Sequence, residues 1–175
     1  AFGSIVASAP NTANPHAVPS DRVIEKGDFV LMDYGAGYCD YRSDMTRTVV
    51  MGEPTQEQLD LYALVRRTHE ECVAAIHPGV EGNDIFKLSK KIIGDAGYGD
   101  YYNHGLGHGV GIDIHELPNF NRSKNIIEVG SVITMEPGVY LPGVGGVRLE
   151  DYGVVTENGY EPFTKTPHDL HVIDC

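Results

Sequence analysis

Ile24-Glu25-Lys26-Gly27-Asp28-Phe29-Val30-Leu31-Met32-Asp33 is matched without a gap by Ile127-Glu128-Val129-Gly130-Ser131-Val132-Ile133-Thr134-Met135-Glu136. In the first copy Phe29 to Met32 is an unbroken apolar run of the kind a buried strand shows, and it delivers a carboxylate, as the second copy does at Glu136. A shorter match follows each copy: Arg42-Ser43-Asp44 corresponds to Arg148-Leu149-Glu150. Each half of the chain therefore supplies two carboxylates, one from each strand of a pair. A pseudo-twofold arrangement brings all four together.

The elements around the repeat follow from local signals. Ser4-Ile5-Val6-Ala7 reads as a strand leading into a long ordered loop that carries His16, and Met45 to Val50 as the strand after Asp44. Thr55-Gln56-Glu57-Gln58 is a capping box. The helix it opens has an apolar stripe at Tyr62, Val65, Cys72, Val73 and Ile76 and is stopped by Pro78-Gly79. A second helix, about Asn83 to Ala96, puts Ile85, Leu88, Ile92 and Ala96 on one face. Strands are expected near Val132 to Glu136 and Val147 to Glu150, with a last one at Val154-Val155 before the turn Glu157-Asn158-Gly159. The second half has two helices ahead of its strands and the first has none, so symmetry predicts two helices missing ahead of Ala1.

The chain has 175 residues, 41% hydrophobic and 22% charged, the size and composition of one ordinary globular domain. A net charge of -12 argues against a nucleic-acid partner, which demands excess Lys and Arg. No stretch approaches a membrane span of roughly 18 apolar residues, so no membrane partner is expected. Cys39, Cys72 and Cys175 are odd in number and widely spaced, which disfavours a disulfide framework and points to a cytoplasmic location.

Asp33, Asp44, His108, Glu136 and Glu150 sit where strands should run into turns. Taken singly, an Asp at a strand end is usually a turn or capping residue. Jointly, four carboxylates and one imidazole are too rich in oxygen for a structural zinc site. They suit two harder divalent ions with two carboxylates shared, and four clustered acids require such cations. Spare coordination positions at a two-metal site imply hydrolysis by an activated water. His104-Gly105-Leu106-Gly107-His108 has the i, i+4 spacing of a zinc-binding helix. Its glycines and the lack of a Glu after His104 argue against that helix and against a dinucleotide loop. His69, His77, His168 and His171 read as helix surface or tail.

Taken together, Asp33-Tyr34-Gly35, Ser43-Asp44-Met45-Thr46-Arg47-Thr48, His104 to Gly111, His115-Glu116, Met135-Glu136-Pro137-Gly138 and Val147-Arg148-Leu149-Glu150-Asp151 resemble the Xaa-Pro aminopeptidase and prolidase family. The resemblance implies an α+β, pita-bread fold, a pseudo-twofold curved antiparallel sheet backed by helices. Residues 1–175 would then be the metallopeptidase catalytic domain, incomplete at its amino terminus. It also implies two divalent metal ions, Mn2+ first and Co2+ or Zn2+ as alternatives, and a proline-containing peptide substrate. The full-length protein would be a homodimer. Asp33 would chelate one ion, Asp44 and Glu150 would bridge, and His108 and Glu136 would hold the other. A metal-bridging hydroxide would attack the carbonyl before proline while Glu136 shuttles the proton. His115 would hydrogen-bond the substrate, His16 would line the proline side, and Arg148 would pair with a substrate carboxylate or orient Asp33. One departure is Ala9, where the family usually has Gly. The alternatives are a methionine-aminopeptidase-like peptidase and a non-catalytic pita-bread binding module. Gly146 to Asp151 argues against the first and the complete donor set against the second.

Overall fold

The computed structural model describes residues 1–174; Cys175 lies outside the described residues. Its strands are β1 (Ile5–Ser8), β2 (Phe29–Tyr34), β3 (Gly37–Tyr38), β4 (Tyr41–Arg42), β5 (Met45–Met51), β6 (Gly107–Gly109), β7 (Glu116–Phe120), β8 (Val132–Met135), β9 (Gly138–Leu141), β10 (Gly145–Arg148), β11 (Asp151–Thr156), β12 (Gly159–Pro162) and β13 (His171–Ile173). Two helices, α1 (Gln56–Ala74) and α2 (Gly82–Asp95), separate the halves.

The internal repeat is visible as two equivalent trios of strands. In one sheet the order is β1-β2-β5-β13, and in the other it is β12-β11-β8-β6-β7. Thus β2, flanked by β1 and β5, has its counterpart in β8, flanked by β6 and β11. The register sets Asp33 opposite both Ile5 and Thr46. An antiparallel bridge from Thr46 to Glu150 joins the halves, and the Thr48 hydroxyl donates to the Arg148 carbonyl at 3.0 Å. All pairing within the two trios is antiparallel; β13 adds to β5 in parallel.

Helix α1 begins with the expected capping box: the Thr55 hydroxyl accepts from the Gln58 amide at 3.2 Å and the Gln58 side chain from the Thr55 amide at 2.9 Å. Such a cap contributes about 1 kcal/mol. Tyr62, Val65 and Cys72 are buried as the stripe requires. The helix ends at Ala74, before Pro78, because its last turn tightens, with the amides of Ala75 and Ile76 bonding to carbonyls three residues back. Helix α2 buries Ile85, Ile92 and Ile93. Ala96, expected on that face, is exposed, because it is the capping residue and Gly97 turns the chain away at φ +88°.

Two apolar clusters lie between helices and sheets. One gathers Phe29, Val50, Val65, Ile93, Val147 and Leu149, and the other Cys72, Ile85, Phe120, Ile127, Ile133 and Met135. Both copies of the repeated strand are thus anchored, each fully buried aliphatic contributing roughly 1.5–3 kcal/mol. The chain also contains strands that local pattern did not announce. Val154-Val155 is followed by β12 and β13, whose residues are mostly exposed and lack a run of apolar side chains. No helix among the described residues is long and apolar enough to cross a membrane.

Candidate metal centre

Each proposed donor is delivered by a different piece of backbone. Asp33 is the fifth residue of β2, Asp44 immediately precedes β5, His108 is the middle of β6, Glu136 follows β8, and Glu150 sits in the bridge between β10 and β11. All five line one cleft of about 340 Å³. Donor atoms of Asp44, His108 and Glu150 lie within 4.8 Å of one another. His108 Nε2 is 3.6 Å from Asp44 Oδ2 and 3.5 Å from Glu136 Oε1. These separations are long for hydrogen bonds and close to the roughly 3.3 Å between two ligands of one ion with bonds near 2.0–2.1 Å.

The surroundings aim these donors inward. His108 Nδ1 lies 2.9 Å from the Gly109 carbonyl, which fixes the proton there and leaves the Nε2 lone pair facing the carboxylates. The Thr134 hydroxyl accepts from the His108 amide at 3.0 Å. The Thr46 hydroxyl donates to Glu150 Oε2 at 2.6 Å. Gly107 and Gly109 are required by close approach: a Cβ on Gly107 would lie 2.2 Å from the Thr134 carbonyl oxygen, and one on Gly109 would lie 2.4 Å from that of Leu117. The small residues beside His108 therefore let strand meet strand.

Arg148, read from sequence as a partner of either a substrate carboxylate or Asp33, lines the cleft and contacts Asp33. Its Nη2 donates to Asp33 Oδ2 at 2.5 Å, its Nε to the Thr46 hydroxyl at 3.0 Å, and its Nη1 to Tyr140 and the Pro15 carbonyl. The guanidinium is buried with these partners, and its hydrogen bond holds Asp33 Oδ2. The equivalent residue of the repeat, Arg42, is exposed and bonds to the carbonyls of Ile112 and Ala1. Local sequence could not distinguish the two arginines.

The electrostatics favour a bound cation. Burial, then the charges of Asp33 and Glu136, pushes Asp44 up to about 8. Burial, with Asp33 adding, raises Glu136 to about 7, and burial with Glu136 and Asp44 raises Glu150 well above the carboxylate range. Burial lowers His108 to about 4, leaving it in the neutral, ligating form. Asp33 Oδ1 and Asp44 Oδ1 are buried without any hydrogen-bond partner. Interior carboxylate oxygens with no donor are costly, and they fit a site for divalent ions. That donor chemistry is mostly oxygen with one imidazole, a set suited to divalent metals.

Two further residues expected from sequence stand at the rim. His115 is exposed, its ring 4.4 Å from that of His108, and His16 is exposed on the loop after β1. Both line the same cleft, as do Ile114 and Asn119. Sequence reading missed the supporting groups Thr46, Thr134 and Tyr140, the last bonded to His104 Nε2 at 2.9 Å. A hydroxyl on a strand carries no signal until its partner is known. Ala9, read as a mild departure from glycine, adopts φ +50°, which explains why glycine suits that position.

A family model described as metallopeptidase family M24 matches residues 1–157. The Xaa-Pro dipeptidase of Pyrococcus furiosus is 45% identical over 171 residues, covering 97% of this chain and 49% of the relative. Among solved structures, the prolidase from Pyrococcus horikoshii superposes with a TM-score of 0.94 at 43% identity, over 97% of this chain and 49% of that one. The X-Pro aminopeptidase from Thermotoga maritima does so with 0.95 at 36%, over 98% and 49%. The chain spans about half the length of the curated relatives it matches. The likeness in structure establishes the pita-bread architecture implied by the two strand trios. With the family model covering most of its length, the chain belongs to metallopeptidase family M24.

Proposed function

We propose that the chain carries the metal centre of a Xaa-Pro peptidase that hydrolyses the bond before proline, and that residues 1–175 are part of its catalytic domain. The observation that carries this reading is the set of five inward-aimed donors with two unpartnered carboxylate oxygens, in a cleft open to solvent. Asp33, Asp44, His108, Glu136 and Glu150 would hold two divalent ions, with manganese the best fit to the oxygen-rich set. When bound, such ions activate a water for attack and polarise the scissile carbonyl.

The chain's own groups do the rest. Glu136 has 19% of its side chain exposed, against 12% or less for Asp33, Asp44 and His108. It is therefore placed to take a proton from the attacking water and pass it to the leaving nitrogen. His115 faces the cleft and would donate to the carbonyl oxygen as negative charge develops there. His16 also lines the cleft and would border the proline ring. Arg148 orients Asp33 through its Nη2 hydrogen bond, and the Thr46 hydroxyl orients Glu150.

The named relatives and structures support the substrate class, a proline-containing peptide. A homodimer of the full-length protein and a cytoplasmic location complete the proposal; the free, exposed Cys39 thiol suits a reducing compartment. The test is metal analysis with activity of the full-length protein on Ala-Pro, on longer Xaa-Pro peptides and on Met-Ala. Cleavage before proline only, lost on chelation and restored by manganese, is expected. Full activity without metal, or equal cleavage of Met-Ala, would overturn the reading. The longer peptides separate an aminopeptidase from a dipeptidase.

A further inference from the structure

His69 and His168 are not the bland surface residues their sequence context suggests. His69 lies on the α1 face that also carries Tyr62, Val65 and Cys72, and is 2% exposed. It stands beside Asp151 of β11, and His168, from the segment after β12, approaches Asp151 from the solvent side with 30% of its side chain exposed. We infer that His69, Asp151 and His168 form a binding site for one borderline divalent cation of the zinc class, distinct from the cleft centre.

The geometry supports ligation over simple hydrogen bonding. His69 Nε2 lies 3.4 Å from Asp151 Oδ2, yet neither ring nitrogen of His69 makes a hydrogen bond. Two atoms at that separation with no donor aimed at an acceptor are placed as ligands of a common ion are placed. A fully buried imidazole left unpaired is costly, and an ion on its lone pair would offset that cost. His168 Nε2 is 2.5 Å from the same oxygen, and the three donor atoms lie within 4.8 Å. His168 would have to withdraw by roughly 0.8 Å to reach ligand spacing, and its partial exposure leaves room.

The two Asp151 oxygens face different partners. Arg47 Nη2 donates to the other Asp151 oxygen, Oδ1, at 2.6 Å and to the Thr166 carbonyl, and the rest of its guanidinium donates to the carbonyls of Thr46, Glu150 and Pro167. Oδ2 therefore remains directed at the imidazoles. Burial depresses His69 to about 4, which keeps it neutral and able to ligate near pH 7. Two imidazoles and one carboxylate match a zinc donor set with a fourth position open to water from the His168 side. A cation held there would tie α1, β11 and the segment leading to β13 together.

The inference stands independently of the peptidase reading, because its readout is a difference in zinc content. Zinc titration of the intact protein should give one equivalent more for the wild type than for His168→Gln or His69→Gln. The other equivalents should be unchanged. Outer contacts alone alter metal affinity about 10–100-fold, so loss of a direct ligand should weaken that one site by more than about 100-fold. Zinc-edge anomalous diffraction should place a peak between the three side chains. Identical titrations for wild type and the His168→Gln variant, or anomalous peaks confined to the cleft, would overturn the site. His168→Gln carries the test if the buried His69→Gln fails to fold.

Discussion

Withdrawal of divalent cations should make folding stability fall as pH rises above 6.5, the reverse of ordinary acid denaturation. Asp44 holds its proton up to about 8 and Glu136 up to about 7, against 3.8 and 4.5 for free side chains, and Glu150 is shifted the same way. Burial is the leading cause in each, with neighbouring carboxylates adding. Folded-state values above the unfolded ones mean that the folded chain binds more protons. The resulting stabilisation is complete below the unfolded values and is lost as pH rises through the folded ones. The buried histidines His69, His104 and His108, depressed to about 4, act oppositely, losing stability as pH falls from 6.5 toward 4. Above pH 6.5 the opposing histidine contribution fades, and toward pH 8 the carboxylates dominate. One to two excess protons, at about 1.4 kcal/mol per proton per pH unit, give a loss on the order of 2–4 kcal/mol over that interval. In a chain of this size that is roughly 5–15 °C in Tm. Thermal unfolding in EDTA across the interval, repeated with saturating manganese, measures it. Manganese should abolish the decline, and Asp44→Asn should remove about one proton's share of the slope. A metal-free Tm that is flat or rising from pH 6.5 to 8 would refute the argument that the carboxylates are held together at the expense of stability.

Three other outcomes test individual contacts. Arg148→Lys keeps a charge but loses the fork that reaches Asp33, Thr46 and Tyr140, so manganese affinity should drop about 10–100-fold while circular dichroism is preserved. Gly107→Ala drives a methyl into the Thr134 carbonyl and should destabilise by about 1–3 kcal/mol or more in urea titration; a neutral result would mean that β6 and β8 part easily. Ala9→Gly relieves a positive φ and should leave stability equal or raise it by up to about 1 kcal/mol, whereas a clear loss would show that the left-handed conformation costs nothing there.

Much of this protein was determined by sequence alone, and the reason is periodicity. The repeated runs ending in Asp33 and Glu136 are mostly apolar and match without a gap, so both the strands and their carboxylates are legible in the sequence. The capping box at Thr55 and Gln58 acts over three residues, a range at which sequence spacing and spatial distance are the same thing. Only the tertiary structure decided what depends on residues far apart in the chain. Arg42 and Arg148 occupy equivalent places in the repeat, yet only Arg148 is enclosed, because β10 pairs with β9 and is pinned to Thr48 a hundred positions away. His69 looked like helix surface because its neighbours Arg66, Arg67 and Glu70 are polar; packing of α1 against β11 and the segment holding His168 buries it instead. Strands β12 and β13 are held by edge pairing to β11 and β5, with little apolar burial of their own. Backbone hydrogen bonds of that kind leave no mark on side-chain pattern, so they appear only once the partner strand is in place.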